Sequence, residues 1–185
     1  VQLTVAVTDS AVSWTSLSNG YLTSQFYTAA IDPATPGSRV VVGGLQDNGT
    51  HFTNSSQVTN AWQWVSGGDG SYCAVAPGCA YFYFSKQEGK TAKVRLDTLT
   101  GTVLAYERID PISPGEYRFI NPFILDPNNS DIMYMAEGRR LWRNDDLSQI
   151  ALNNGWDSIS TNWVQLPDTV PGSDIEISTL AASTT

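Results

Sequence analysis

GGLQDNGTHFTNSSQVTNAWQWVSGGDG, residues 43–70, decides how the chain is read. Two tight, acidic, glycine-flanked turns, QDNG and GGDG, enclose a pair of short strand-like runs and two tryptophans. Asn-Gly between alternating apolar residues is the strongest short hairpin signal, because both turn residues must reach positive φ and Asn and Gly tolerate that best. The stretch therefore predicts paired strands over residues 40–45 and 50–54, turning at Asn48 and Gly49.

Outward from this unit, helical periodicity is absent. Short β-branched and aromatic runs bounded by Gly, Pro, Asn and Asp recur instead, the pattern of an all-β domain. Three segments follow one plan: FYTAAIDPATPGSRVVVGGLQDNGT from Phe26, YCAVAPGCAYFYFSKQEGKT from Tyr72 and FINPFILDPNNSDIMYMAEGRRLW from Phe119. Each reads as a strand, a proline turn, a second strand and a polar hairpin. The turn prolines, Pro33, Pro77 and Pro127, recur at roughly 45 to 50 residues, the length of one four-stranded propeller blade.

The expected fold is a β-propeller fragment of about three four-stranded antiparallel blades with flanking strands of two more. The first blade takes strands over 26–31, 39–45, 50–54 and 61–65, the second over 71–76, 79–85, 91–97 and 102–108, and the third over 119–125, 131–136, 139–144 and 162–166. The whole chain is then part of one propeller domain. Residues 1–24 end a preceding blade, 25–66, 67–110 and 111–168 are blades, and 169–185 open the next, with a fourth strand at 12–17 and a first strand at 175–182. Closed propellers typically have 4 to 8 blades, and an open one exposes sheet edges. The expected partner is therefore the remainder of the same propeller or another protomer.

Composition bounds the function. At 185 residues, with 41% hydrophobic and 11% aromatic content, the chain has the material for one folded domain. Ten basic against 18 acidic residues give a net charge of −8, which opposes binding to nucleic acid or to anionic lipid. No stretch approaches the roughly 20 apolar residues of a membrane helix, so no membrane insertion is expected. Val1 opens without a charged start and an apolar stretch behind it.

The two cysteines, Cys73 and Cys79, flank Pro77-Gly78, a turn that would fold the thiols toward each other and permit a disulfide. Two buried free thiols are the alternative, and the spacing is not that of a zinc site. Sequons at Asn48, Asn54 and Asn128 are glycosylation acceptors in a secretory pathway. With few lysines and many Ser, Thr and Asn, they point to an extracellular, secreted or cell-surface protein.

Trp14, Leu17 and Gly20, then Ile31-Asp32-Pro33, then Gly44 to Gly49, then Trp64 and Gly67 to Gly70 resemble the pattern W-x-x-L-x-x-G, I-D-P, G-x-Q-D-N-G, W and G-G-D-G. That is the pattern of the BNR/Asp-box, sortilin-type β-propeller superfamily, in particular its secreted bacterial, glycosidase-like members. The resemblance covers nearly the whole chain. It implies the fold more than an activity, since the superfamily includes sialidases, xyloglucanases, sorting receptors and cell-surface proteins of unknown role. The Asp-box, S-x-D-x-G-x-x-W, survives as VTDSAVSW, with Asp9 and Trp14 kept and Val7 and Ala11 in place of Ser and Gly. In the superfamily that Asp fixes a turn between the third and fourth strands, so Asp9 reads as structural. RNDDLS, from Arg143, resembles the same region with an insertion running to Asn162.

In a propeller, the loops joining second to third strands and fourth strands to the next blade emerge on one face. Gln46, Asp47, Asn48 and Asp69 should converge there, and Asp47 and Asp69 are the candidate metal ligands. Two carboxylates with amide oxygens suit a hard cation such as Ca²⁺ or the hydroxyls of a sugar. The alternative is that each Asp caps its own turn. Asn19, Tyr21, Glu88, Lys90 and Asp110 should share that face with Glu116, Arg118, Glu137 and Arg139. Trp62, Trp64, Trp142, Trp156 and Trp163 can stack on sugar rings, although those on strands are expected to fill the spaces between blades. Trp156, in the insertion, is the one expected to be exposed.

No catalytic residue is assigned. Paired carboxylates can hydrolyse glycosides at separations of about 5 to 9.5 Å, which a sequence does not reveal. A sialidase would need an arginine cluster and a Tyr/Glu nucleophile pair, and no motif surrounds Arg118, Arg139, Arg140 or Arg143 to match. His51, the sole histidine, gives little support to a His-based triad or metal site. The expected role is a binding, adhesion or structural module that touches a glycan (a polysaccharide included), a surface protein or an ion through the loops of that face. The alternative is a glycoside hydrolase of xyloglucanase or sialidase type, completed by blades outside the chain.

Overall fold

The computed structural model describes residues 2–5, 12–17, 23–172 and 174–184. Asp9 with its flanking Val7 and Ala11, and Asn19, Gly20 and Tyr21, lie outside the described residues. Strands β1 (Gln2–Val5) and β2 (Val12–Thr15) form an antiparallel pair. The strand expected at 12–17 is thus present but shorter, and its partner β1 was not foreseen.

Three four-stranded antiparallel sheets follow, each a meander of consecutive strands. Blade one holds β3 (Phe26–Ile31), β4 (Val41–Leu45), β5 (Gly49–Thr53) and β6 (Gln63–Ser66). Blade two holds β7 (Cys73–Val75), β8 (Phe82–Ser85), β9 (Thr91–Leu96) and β10 (Val103–Arg108). Blade three holds β11 (Phe123–Leu125), β12 (Met133–Glu137), β13 (Arg140–Asn144) and β14 (Trp163–Thr169). Every expected strand of the three blades is present, and no helix beyond two short 3₁₀ turns occurs among the described residues.

The core lies in the two seams between blades. Strand alternation sends successive side chains to opposite faces, and β8 shows the result: Phe82 and Phe84 enter seam one, between blades one and two, while Tyr83 enters seam two, between blades two and three. Blade two is therefore buried on both faces, which is why FYF reads as an unbroken apolar run. Val42, Phe52 and Val65 close seam one, with Phe52 edge-on to Phe82 at 5.8 Å. Phe123, Met133, Met135, Leu147 and Trp163 close seam two. Each such side chain stabilises by about 1.5–3 kcal/mol when removed from water.

Three expectations need correction. Residues 175–182 form no strand; the segment is held instead by Ile177 N–H to Gly138 O (2.8 Å) and by the Tyr72 hydroxyl to Ser178 O (3.3 Å), isolated bonds to the β12–β13 hairpin and to blade two rather than a ladder. The QDNG hairpin does not turn on Asn48 and Gly49. Leu45 pairs with Gly49, so Gln46, Asp47 and Asn48 form a three-residue loop; Asp47 within it (φ 59°) and Gly49, the first residue of β5 (φ 75°), take the left-handed conformation. The thiols of Cys73 and Cys79 are unbonded. Cys73 pairs across the hairpin with Phe84, which puts the apex at residues 77–80 and leaves Cys79 there rather than opposite Cys73.

The insertion after β13 acts as a strap. Its residues 153–159 run along the free edge of β10: Asn154 N–H donates to Tyr106 O (2.8 Å), Arg108 N–H to Gly155 O (3.1 Å), Ile159 N–H to Asp110 O and Ile112 N–H to Ile159 O (both 3.0 Å). An outer edge that would otherwise offer unpaired backbone groups is covered. The buried Lys93 anchors the strap's root, donating to Leu147 O (2.7 Å) and Ile150 O (3.1 Å) beneath the Tyr81 ring.

Candidate functional site

The two acidic turns lock into each other through their glycines. Gly70 N–H donates to Leu45 O at 3.0 Å, and the backbones approach so closely that only glycine fits. A β-carbon on Gly44 would lie 2.2 Å from Ser71 O, and one on Gly70 would lie 2.1 Å from Gly49 O. The connection from blade one to blade two thus lies directly on the β4–β5 hairpin. Asp69 completes the clasp: its Oδ1 accepts the Asp47 N–H at 2.5 Å, while its own N–H donates to Gln87 Oε1 at 3.2 Å. Asp47 and Asp69 share one face and touch. Asp69 caps the neighbouring turn, where the sequence had suggested that each Asp caps its own.

The opposite end of seam one has a similar tie. Asp32, in the I-D-P turn, is buried and accepts the Ala34 N–H and, from blade two, the Gly78 N–H, both at 3.0 Å. Burial opposes its charge, and the hydrogen bonds from Thr35, Ala34 and Gly78 outweigh it, holding the carboxyl below the usual range.

Gln46, Asp47 and Asn48 are exposed. Asn48 Nδ2 donates to Gln46 O (3.2 Å), and the Asn48 carbonyl lies 3.0 Å from His51 Nε2. For Ca²⁺, which takes 6–8 oxygens, this donor set falls short: one Asp69 oxygen serves the Asp47 N–H and the Asn48 carbonyl faces His51. No group of three or more His, Cys, Asp or Glu suited to a metal occurs among the described residues. The residues present do not fit the cation.

Several other charges of this face pair off, while Arg139 donates to the Val170 and Gly172 carbonyls. Lys90 lies 2.6 Å from Glu88 and its hydrogen bond holds that carboxyl below the usual range. Arg108 grips the buried Asp110 with two bonds, Nε to Oδ1 at 2.7 Å and Nη2 to Oδ2 at 2.9 Å, and Asp110 Oδ1 also accepts the Thr91 N–H at 3.1 Å. Arg118 meets Glu176 at 2.9 Å. Glu137, buried, accepts from Trp142 Nε1 at 2.5 Å and lies 3.7 Å from Arg140.

The sequons differ in accessibility. Asn48 is exposed in its hairpin. Asn54 turns its amide inward to Thr98 O and Leu99 O, at 2.8 and 3.0 Å, tying blade one to blade two. Asn128 donates to Ser183 O at 3.2 Å.

The tryptophans sort differently from the sequence reading. Trp163 is buried and donates to Ile109 O at 2.6 Å. Trp62 leans on Phe26, ring centroids 5.5 Å apart. Trp64, although on a strand, is 58% exposed, more than Trp156 at 38%. Both line a groove of about 380 Å³ at the outer end of seam one, floored by Phe84 and Val94 and edged by Ser66, Lys86 and Tyr106. Lys86 and Tyr106 carried no signal in the sequence, because only the folded seam brings them to the tryptophans.

Comparison of the chain with protein-family models, with curated proteins and with solved structures finds no match in any of the three.

Proposed function

We propose that the chain is part of an extracellular or cell-surface β-propeller of the BNR/Asp-box, sortilin-like kind, acting as a binding, adhesion or structural module. The observation that carries this reading is the bond from Asp47 N–H to Asp69 Oδ1 at 2.5 Å. It ties the β4–β5 hairpin of blade one to the connection leading into blade two, which supports the work of a scaffold. A hydrolase needs two carboxylates facing a substrate at a defined separation. Of the further acids raised on that face, Glu88, Asp110 and Glu137 each lie beside a cation, and Glu116 alone lines a cavity without an ion-pair partner of its own among the described residues. The exposed sequons at Asn48 and Asn128 and scarce lysine support an extracellular setting, and no helix among the described residues is long and apolar enough to cross a membrane.

The test is a reducing-sugar assay on the protein and its Asp47→Ala and Asp69→Ala variants, with xyloglucan and sialyllactose as substrates. The expected outcome is no sugar release by any of the three, with Asp69→Ala less stable by about 1–2 kcal/mol from the lost cap. Sugar release by the parent protein that either substitution abolishes would establish the hydrolase instead.

A further inference from the structure

We propose that the groove at the outer end of seam one is a carbohydrate subsite, in which the Trp64 indole stacks on the apolar face of a neutral pyranose ring. The inference rests on the module reading above and names its ligand class.

Trp64 is exposed yet held. A β-carbon on Gly49 would come within 2.9 Å of its Nε1, and one on Gly67 within 3.0 Å of its Cζ2. The indole edge therefore abuts two bare glycine backbones, one from each acidic turn, and any larger residue at either place would displace the ring. More than half of the side chain faces solvent. A large, rigid aromatic surface that loses little freedom on binding is what stacking on a sugar requires.

The facing wall is also fixed. Lys86 Nζ lies 4.6 Å from the Trp156 ring centre, Tyr106 meets the same ring at 6.1 Å and 71°, and the strap's bonds to β10 hold the segment that bears it. The groove's about 380 Å³ falls within the range of about 300–1,000 Å³ of small-ligand sites. Its floor is apolar and its edge polar. Lys86, Ser66 and Tyr106 supply donors and acceptors for ring hydroxyls, while the floor suits the C–H face. The net charge of −8 opposes a polyanionic chain and so favours a neutral saccharide over an acidic one.

The test is affinity electrophoresis through gels containing xyloglucan, mixed-linkage β-glucan or galactomannan, with calorimetry on cellohexaose, xyloglucan heptasaccharide and mannohexaose. The parent protein is run beside Trp64→Ala, Trp64→Phe and Trp156→Ala, with thermal melts to show that each variant is folded. The expected result is retention of the parent by at least one of these polysaccharides, weakened ten-fold or more in Trp64→Ala and only a few-fold in Trp64→Phe, which keeps an aromatic ring. Retention of all four proteins alike would overturn the subsite and leave the module reading standing. Failure of the parent to bind any of the probes would overturn the subsite and the glycan branch of that reading together. The reducing-sugar assay decides module against hydrolase independently of both.

Discussion

Seam one is finished at its upper end by glycines and an outward carboxylate, seam two by a buried ion pair, a buried lysine and a strap. In seam one, Gly44, Gly49 and Gly70 bring two turns into backbone contact and Asp69 caps the result from a half-buried position. In seam two, Asp110 is buried under Arg108, and Lys93 fixes the root of the insertion that runs along β10. In each, a carboxylate just beyond a blade's last strand accepts a backbone N–H from that blade's inner strands or their loop, Asp69 from Asp47 and Asp110 from Thr91. The difference is what lies outside. The strap fills the outer side of seam two, whereas the outer end of seam one stays open as the Trp64 groove. The two seams thus differ in what covers their outer sides, while a cavity of about 500 Å³ remains beside the Arg108–Asp110 pair at the upper end of seam two.

The contrast breaks first at Asp110. Asp110→Ala would strand Arg108, whose side chain is only 18% exposed, and leave the buried Thr91 N–H without its acceptor. The expected loss is about 3–5 kcal/mol in guanidinium unfolding, and a loss below about 1 kcal/mol would show that the ion pair is not what closes seam two. Gly44→Ala strikes the other closure. Its methyl would meet Ser71 O and N at 2.2 and 2.5 Å, so the turns must separate, at an expected cost of about 2–3 kcal/mol. Weakened glycan binding in the same variant would sharpen the link between clasp and groove.

The smallest effect concerns the thiols, both packed against the seam-one cluster. Burial pushes the Cys73 thiol up to about 12, and burial together with the Asp32 carboxylate pushes Cys79 up to about 11. Thiolate is the reactive form, so at pH 8 neither should react appreciably with a thiol reagent while the protein is folded. Both should react after unfolding without reductant. Finding no thiols at that stage would restore the disulfide and overturn the hairpin register around residues 77–80.

Much of this architecture was legible because a propeller blade is local. A strand, a proline turn and a polar hairpin follow in sequence, so β-propensity and turn chemistry located all twelve blade strands to within a few residues, and predicted that Asp47 and Asp69 would share a face. What escaped depended on contacts between blades. The QDNG loop is a three-residue hairpin with Asp47 in the left-handed conformation, and its bond to a carboxylate 22 residues away is a contact that spacing does not reveal. The cysteines looked paired because the Pro-Gly turn was centred too early by a few residues, and register errors of that size are invisible to spacing alone. Trp64 was assigned to packing by its place on a strand, but β6 is an outer strand with a bulge beside it, and its exposure follows from that position. The strap gave no sign of its destination, since an irregular polar segment pairs with whatever edge the fold brings to it.

That strap also sets an order of events in time. Residues 106–108 acquire their edge partner only when residues 154–155 exist, more than forty residues later in synthesis. At about 5–20 residues per second, the outer edge of blade two stands uncovered on the ribosome for seconds. An unpaired edge of that kind is a template for joining a neighbouring nascent chain. The strap therefore acts as a late seal, and before it closes the outer edge of blade two is open to misassembly.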